Sequence, residues 1–262
     1  MKKVIVVLLM CSVFVGSLFA QGQIEGSKSQ KSPIGIISAM DSEVDYLLSI
    51  ADESSTKEIG GVLYHIGTLE GKDVVICKAG VGKSLSAAGT AILIHEFNVS
   101  SIIFSGIAGS VSDKLSIADV VISTEVMFHD YGYQTDEKIE LGTDFVSEVK
   151  IKADPILVDK AYNSALKVCK DQDVLKGLVA TGDQFVASAK KVEYLSNELG
   201  ALCVEMEGAS VGYVASQYDI PFVVIRGMSD KADGIAHETY EQWWVVVADN
   251  SGKIVQEMVK SM

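Results

Sequence analysis

In Ala201-Leu202-Cys203-Val204-Glu205-Met206-Glu207-Gly208 an apolar run stops at two carboxylates, and a helical pattern, 208–218, begins. The same grammar recurs along the chain. Short β-branched runs at 34–37, 74–78, 101–104, 119–123, 177–180, 201–204 and 221–225 alternate with helical patterns at 41–49, 84–97, 154–170, 188–199 and 237–262. Asp154-Pro155 reads as a helix start, a capping carboxylate with Pro in the first turn. Continuous apolar strands between helices imply a parallel sheet buried on both faces. A hairpin, 64–67 with 71–77, makes that sheet mixed. The expected fold class is α/β, a single domain over 33–262 with a mixed, mostly parallel central sheet flanked by helices.

Residues ahead of that domain read differently. Lys2 and Lys3 precede an apolar stretch, 4–19, and Ala20 offers a small residue before a polar run. This is the pattern of a secretory signal peptide, 1–20, followed by a flexible leader, 21–32. The apolar stretch is too short and too weakly flanked for a stable membrane span. Met10 before Cys11 is not the small residue that lipoprotein processing wants. An exported protein, periplasmic or secreted, is expected. Removing Lys2 and Lys3 leaves 20 basic against 35 acidic residues, a net charge of −15. That balance argues against nucleic acid as a partner, because phosphate backbones need clustered Lys and Arg. Cys77, Cys169 and Cys203 lie in apolar runs without framework spacing and read as buried free thiols.

Several motifs compete as sites of chemistry. Ala79-Gly80-Val81-Gly82-Lys83-Ser84 opens a helix as a phosphate-cradling loop would, yet Cys77 stands where a Walker loop needs its first Gly. The histidines, His65, His95, His129 and His237, share no metal-ligand spacing with one another or with the cysteines, so no metal is expected. His129-Asp130 could orient each other, or His129 could be a structural residue. The Gly-rich turn Phe104-Ser105-Gly106-Ile107-Ala108-Gly109-Ser110 would let a flat ligand approach the backbone. Carboxylates at strand ends are the stronger signal. Glu205 and Glu207 share a face if the strand continues and diverge if it ends between them. Glu207 also suits a helix start. Asp230 follows 221–225 at another strand end, and Glu43 sits in the first turn of 41–49.

Taken together, these segments resemble the purine nucleoside phosphorylase and nucleosidase superfamily, and within it the 5′-methylthioadenosine/S-adenosylhomocysteine nucleosidases. The matching pieces are 34–40 with Glu43, 80–83, 105–109, 181–186, 204–208 and 226–230, in family order across most of 33–262. The resemblance implies a nucleoside phosphorylase-like fold, a purine nucleoside as ligand, no cofactor and a homodimer. It implies that Asp230 serves the purine N7 with Ser229 in support, and that Glu43 activates water. Glu207 would hold ribose hydroxyls, with Met206 under the sugar. Phe185 would stack on the base, and Val186 would read its edge through the backbone. Ala108 and Gly109 would line the base pocket, with Met40 beside Glu43 and Tyr240 near the 5′ substituent. Ile107 departs from the smaller or polar residue such enzymes tend to carry. The expected activity is hydrolysis of 5′-methylthioadenosine, S-adenosylhomocysteine or 5′-deoxyadenosine to adenine and the sugar. The alternatives are a phosphorylase and a non-catalytic nucleoside-binding protein. Arg226 is the only arginine in the chain. Phosphorylases of this group hold phosphate with arginines, so water is the expected nucleophile.

Overall fold

The computed structural model describes residues 32–136, 139–141, 150–233 and 235–262. The expected signal segment, 1–20, and all of the leader except Ser32 lie outside the described residues. In chain order the elements begin β1 (Ile34–Ser38), α1 (Asp41–Ile50), β2 (Asp52–Ile59), β3 (Val62–Leu69), β4 (Lys72–Lys78), α2 (Lys83–Phe97) and β5 (Ser101–Ser110). Then come β6 (Val120–Phe128), β7 (Gly132–Gln134), β8 (Ile139–Leu141), β9 (Lys150–Lys152), α3 (Pro155–Val168) and β10 (Val174–Thr181). The chain finishes with α4 (Ala189–Glu193), β11 (Ala201–Glu205), α5 (Gly208–Gln217), β12 (Phe222–Asp230) and α6 (Ala236–Lys260).

One mixed sheet runs in the order β11-β10-β6-β12-β5-β1-β4-β3-β2. The pairings β1–β4, β1–β5, β5–β12, β6–β10 and β10–β11 are parallel. The expected hairpin is present, with β3 and β4 antiparallel and Tyr64 opposite Cys77. β11 pairs with β10 on one side and antiparallel with β5 on the other, so five strands close on themselves. β1, β5 and β12 are buried along their whole length, which is why they read as unbroken apolar runs. Each fully buried Val, Ile or Leu contributes about 1.5–3 kcal/mol. Asp154 caps α3 as expected, accepting from the Leu157 amide at 2.9 Å. Cys77, Cys169 and Cys203 are free and buried.

Three local expectations need correction. The segment 104–110 is not a turn but the second half of β5, and 226–230 lies within β12 rather than beyond it. Its small residues mark close side-chain approach inside a strand: a Cβ on Gly106 would fall 2.1 Å from Arg226 Nη1 and 2.4 Å from Glu43 Oε1. β2 went unread because its sequence, DESSTKEI, is polar and exposed, and only its pairing with β3 makes it a strand. The helix expected over 188–199 is the short α4 continued by a π-helical turn, Tyr194–Glu198.

The long helix α6 packs against β12, which sets the side chains of its first turns beside the strand's end. Gly227 is the point of contact: a Cβ there would fall 2.3 Å from Val247 Cγ1 and 3.1 Å from Ser251 Oγ. Gly227→Ala is expected to lower stability by about 1–3 kcal/mol. A urea titration should show a lower midpoint at constant slope, and an unchanged midpoint would contradict this tight packing.

Candidate active site

A cavity of about 530 Å³ opens where β1, β5, β11 and β12 end. Glu43 enters it from the first turn of α1. Its Oε2 accepts from the Ala39 and Met40 amides, each at 2.9 Å, and its Oε1 accepts from the Ile107 amide at 3.0 Å. Burial raises its pKa, while the Arg226 charge and those amides pull it down. The carboxyl is therefore fixed by backbone alone, in a single orientation, at the wall of the cavity.

Asp230 is the last residue of β12, and it too is buried. Oδ1 accepts from the Ala232 amide at 2.8 Å, and Oδ2 accepts from the Ser229 hydroxyl at 2.9 Å. Its pKa is raised, chiefly by burial. A carboxyl so placed is disposed to hold a proton for delivery.

β11 ends between the two carboxylates of the 201–208 segment, so they diverge. Glu205 turns inward. It accepts from Arg226 Nη2 at 2.5 Å, from the Gly208 amide at 2.7 Å and from the Glu207 amide at 3.1 Å, and also from the Thr181 hydroxyl. This settles Glu205 as the acid that anchors the start of α5. Glu207 is the N-cap residue of α5. Its Oε1 accepts from the Gly82 amide at 2.8 Å, and its Oε2 lies 3.6 Å from Arg226 Nη2. Gly82 reaches this position with φ of 103°, a conformation that favours glycine. The phosphate-like loop thus presents an amide to a carboxylate of the protein itself.

Arg226 is completely buried and stacks on Phe104, with its guanidinium carbon 4.0 Å from the ring centre. The aromatic side of the cavity comes from Phe185 and Tyr240, whose rings meet edge to face at 5.8 Å. Tyr240 also stacks on Trp244, and its hydroxyl reaches Met40 Sδ at 3.5 Å.

Every residue to which the resemblance gave a site role lines this one cavity. Met40, Glu43, Ala108 and Gly109 come from the first half of the chain, and Phe185, Val186, Met206 and Glu207 from the middle. Ser229, Asp230 and Tyr240 complete the wall. Ile107, noted as a departure, and Glu205, left open, line it too, as do Ala39, Val81, Gln184, Val204 and His237, which were given no role. Val81 sits in the loop set aside as a decoy, and His237 lies one turn before Tyr240 on α6. His129 and Asp130 do not orient each other. Among the described residues neither His129 ring nitrogen has a partner, and burial lowers its pKa to about 4. Asp130 instead accepts from Lys83 and from the Asp183 amide. Among the described residues no group of three or more His, Cys, Asp and Glu could hold a metal ion.

This architecture, with buried carboxylates gathered at the ends of a closing mixed sheet, defines a nucleoside-processing α/β protein. The family model described as the Phosphorylase superfamily matches residues 33–260. A 5′-methylthioadenosine/S-adenosylhomocysteine nucleosidase of Psychromonas ingrahamii is 34% identical over 87% of this chain and 99% of its own length. The nucleosidase of that name from Helicobacter pylori, solved with butyl-thio-DADMe-Immucillin-A, superposes with a TM-score of 0.82. It is 31% identical, and the match covers 88% of this chain and 99% of the other. Futalosine hydrolase of Helicobacter pylori is comparably similar, at 30% identity and a TM-score of 0.82 over 90% of this chain and all of the other. The chain belongs to the phosphorylase superfamily, and within it to the 5′-methylthioadenosine/S-adenosylhomocysteine nucleosidases.

Glu207 gives the site a pH signature. Burial first, then the Glu205 charge, raises its pKa from 4.5 to about 8, against the opposing pull of Arg226 and the Gly82 amide. The folded chain keeps a proton here that the unfolded chain releases. Its contribution is therefore fully present below about pH 4.5 and is lost as pH rises through about 8. The urea midpoint is expected to fall between about pH 5 and pH 8.5, and Glu207→Gln should flatten that decline. An equally steep decline in the variant would assign the proton to another group.

Proposed function

We propose that the chain hydrolyses the N-glycosidic bond of adenine nucleosides, with 5′-methylthioadenosine, S-adenosylhomocysteine and 5′-deoxyadenosine as the substrate class. The observation that carries this reading is the convergence of Glu43, Glu207 and Asp230, all buried, on one cavity of nucleoside size. Cleavage leaves positive charge on the ribose and an electron pair on the departing base. Asp230 donates its proton at the purine N7, so adenine leaves neutral. Water adds to the anomeric carbon and yields its proton to Glu43. Glu207 meets the ribose hydroxyls with Oε2, the oxygen that Gly82 does not hold and that faces Arg226, and Met206 packs beneath the sugar. Phe185 and the Val186 backbone hold the base between them and the Ala108–Gly109 edge of β5. Tyr240, Met40 and Val81 surround the 5′ substituent with apolar surface. No cofactor enters this scheme.

The ion pairs of Arg226 favour water over phosphate, because the only arginine of the chain already faces Glu205 and Glu207. A purely binding role is disfavoured by Glu43, since a binder has no use for a water-activating carboxylate. Release of adenine should occur at the same rate with and without phosphate, with free sugar as co-product. Phosphate-dependent release of a sugar 1-phosphate would replace this reading with a phosphorylase. Asp230→Asn and Glu43→Gln should each lower kcat by at least about a hundredfold, in line with lost acid–base catalysis, while near-ultraviolet circular dichroism stays native. Near-normal turnover in either variant would overturn the assigned roles.

The same reading includes a homodimer in an exported compartment. Exposed Tyr131 and Tyr213 cluster on Phe128, and Val81 and Leu85 expose apolar surface around the start of α2. Such a patch favours a covered face. The signal-like pattern over 1–20 supports export.

A further inference from the structure

The segment between β10 and α4 carries Phe185 and Val186 over the cavity, and it is fastened at both ends. At its first end the Asp183 amide donates to Asp130 Oδ2 at 2.9 Å, and Asp183 Oδ1 accepts from the Lys83 amide at 2.8 Å. Lys83 Nζ lies 2.7 Å from Asp130 Oδ1 and 3.9 Å from Asp183 Oδ2. The residue before Lys83 is Gly82, whose amide holds Glu207. At its other end the Ser188 amide donates to the Ala232 carbonyl at 3.0 Å, and the Ala232 amide donates to Asp230 Oδ1. The segment is thus a strap whose first end shares its fastening with Glu207 and whose second end shares its fastening with Asp230.

We infer that Lys83 is a positioning residue: its ammonium, bridging Asp130 and Asp183, latches the Asp183–Ser188 strap to the Gly82 amide that orients Glu207. The inference rests on the substrate reading above, and it extends that reading to a residue outside the cavity wall. Lys83 is three-quarters buried and Asp130 nine-tenths, so water competes little for the bond. Phe128, with its ring centre 5.7 Å from the ammonium, shields it further. The latch matters because Phe185 is half exposed, its ring meeting those of Tyr240 and His237 edge to face. A strap fixed in advance loses less freedom when the base arrives. The Gly80–Lys83 loop, with its resemblance to a phosphate cradle, thereby gains a role. Its amides serve two carboxylates of the protein, Glu207 and Asp183, and its lysine serves Asp130.

The test measures adenine release from 5′-methylthioadenosine. Wild-type turnover is recorded first, and its absence would remove the substrate reading itself rather than the latch. Lys83→Met is expected to raise KM about tenfold and to lower kcat no more than about threefold, as the loss of one partly buried charged hydrogen bond implies. Lys83→Arg, which keeps the charge and both acceptors in reach, should recover most of the KM. If Lys83→Met does not fold, Asp183→Asn weakens the same bridge from its exposed side and should raise KM in the same sense. An unchanged KM in the folded variant overturns the latch. So does a loss confined to kcat, or a KM that Lys83→Arg fails to recover.

Discussion

A single guanidinium organises the site. Arg226 lies at zero exposure among Glu43, Glu205 and Glu207, and each of these carboxylates raises its pKa. Burying a charge is tolerable only when it is paired and hydrogen-bonded. Arg226 meets that condition at Nη2, through Glu205, while among the described residues its Nε and Nη1 have no hydrogen-bond partner, and Glu205 in turn fixes the amides that open α5. Removal of either partner leaves the other charged and dry, at a cost of about 3–5 kcal/mol. The rest follows from this pairing. One arginine cannot neutralise three buried glutamates, so the cluster is short of positive charge. Burial raises the pKa of Glu43, and burial together with the Glu205 charge raises that of Glu207. In the proposed reaction the missing charge is the one that develops on the ribose. A site lined by more carboxyls than cations becomes complementary when the sugar turns cationic, which is where electrostatic preorganisation acts most strongly.

How much of this was legible follows from where each residue points. β1, β5 and β12 were readable because both their faces are buried, so the sequence shows unbroken Val and Ile. β2 was not, because its residues face solvent and only its pairing with β3 makes it a strand. The carboxylates were readable as strand-end acids, but their division of labour was not. Glu205 and Glu207 look alike in sequence. The outcome turns on the strand ending between them: both reach the cavity, but Glu205 is taken up by Arg226 and the amides that open α5, while Glu207 turns to the Gly82 amide. The Gly-rich run 105–109 was misread because small residues suit both a turn and a crowded strand. Here the crowding comes from Arg226 and Glu43, both distant in sequence, and no local pattern carries it. Val81 and His237 were missed for a related reason. Each reaches the cavity through a helix end whose direction is set by tertiary packing.

Closure of the sheet through the β5–β11 pairing explains why residues so far apart in sequence converge. β5 brings Ile107, Ala108 and Gly109, β11 brings Val204 and Glu205, and β12 brings Ser229 and Asp230. In an open sheet, β11 would stand four strands away from β5 along the order β11-β10-β6-β12-β5. Antiparallel contact at Cys203–Ser110 and Val204–Gly109 removes that separation. It also explains the glycine at 109, where a Cβ would fall 2.8 Å from Asp230 Oδ1. The same backbone economy that closes the sheet leaves the flat edge against which a purine can lie.

The choice of nucleophile can be argued from charge alone. A phosphate dianion entering the cavity would meet the carboxyls of Glu43, Glu207 and Asp230, and each of them that is ionised repels it. Phosphorolysis would need cations placed to offset this. Arg226 faces Glu205 and Glu207, and Lys83 faces Asp130 and Asp183 at the loop below. Neither can turn to phosphate without stranding a buried carboxylate. A neutral water asks for no such compensation. It needs only one fixed acceptor for its proton, and in the proposed reaction Glu43, held by three backbone amides, serves as that acceptor. The electrostatics that stabilise a cationic sugar therefore also select an uncharged nucleophile to meet it.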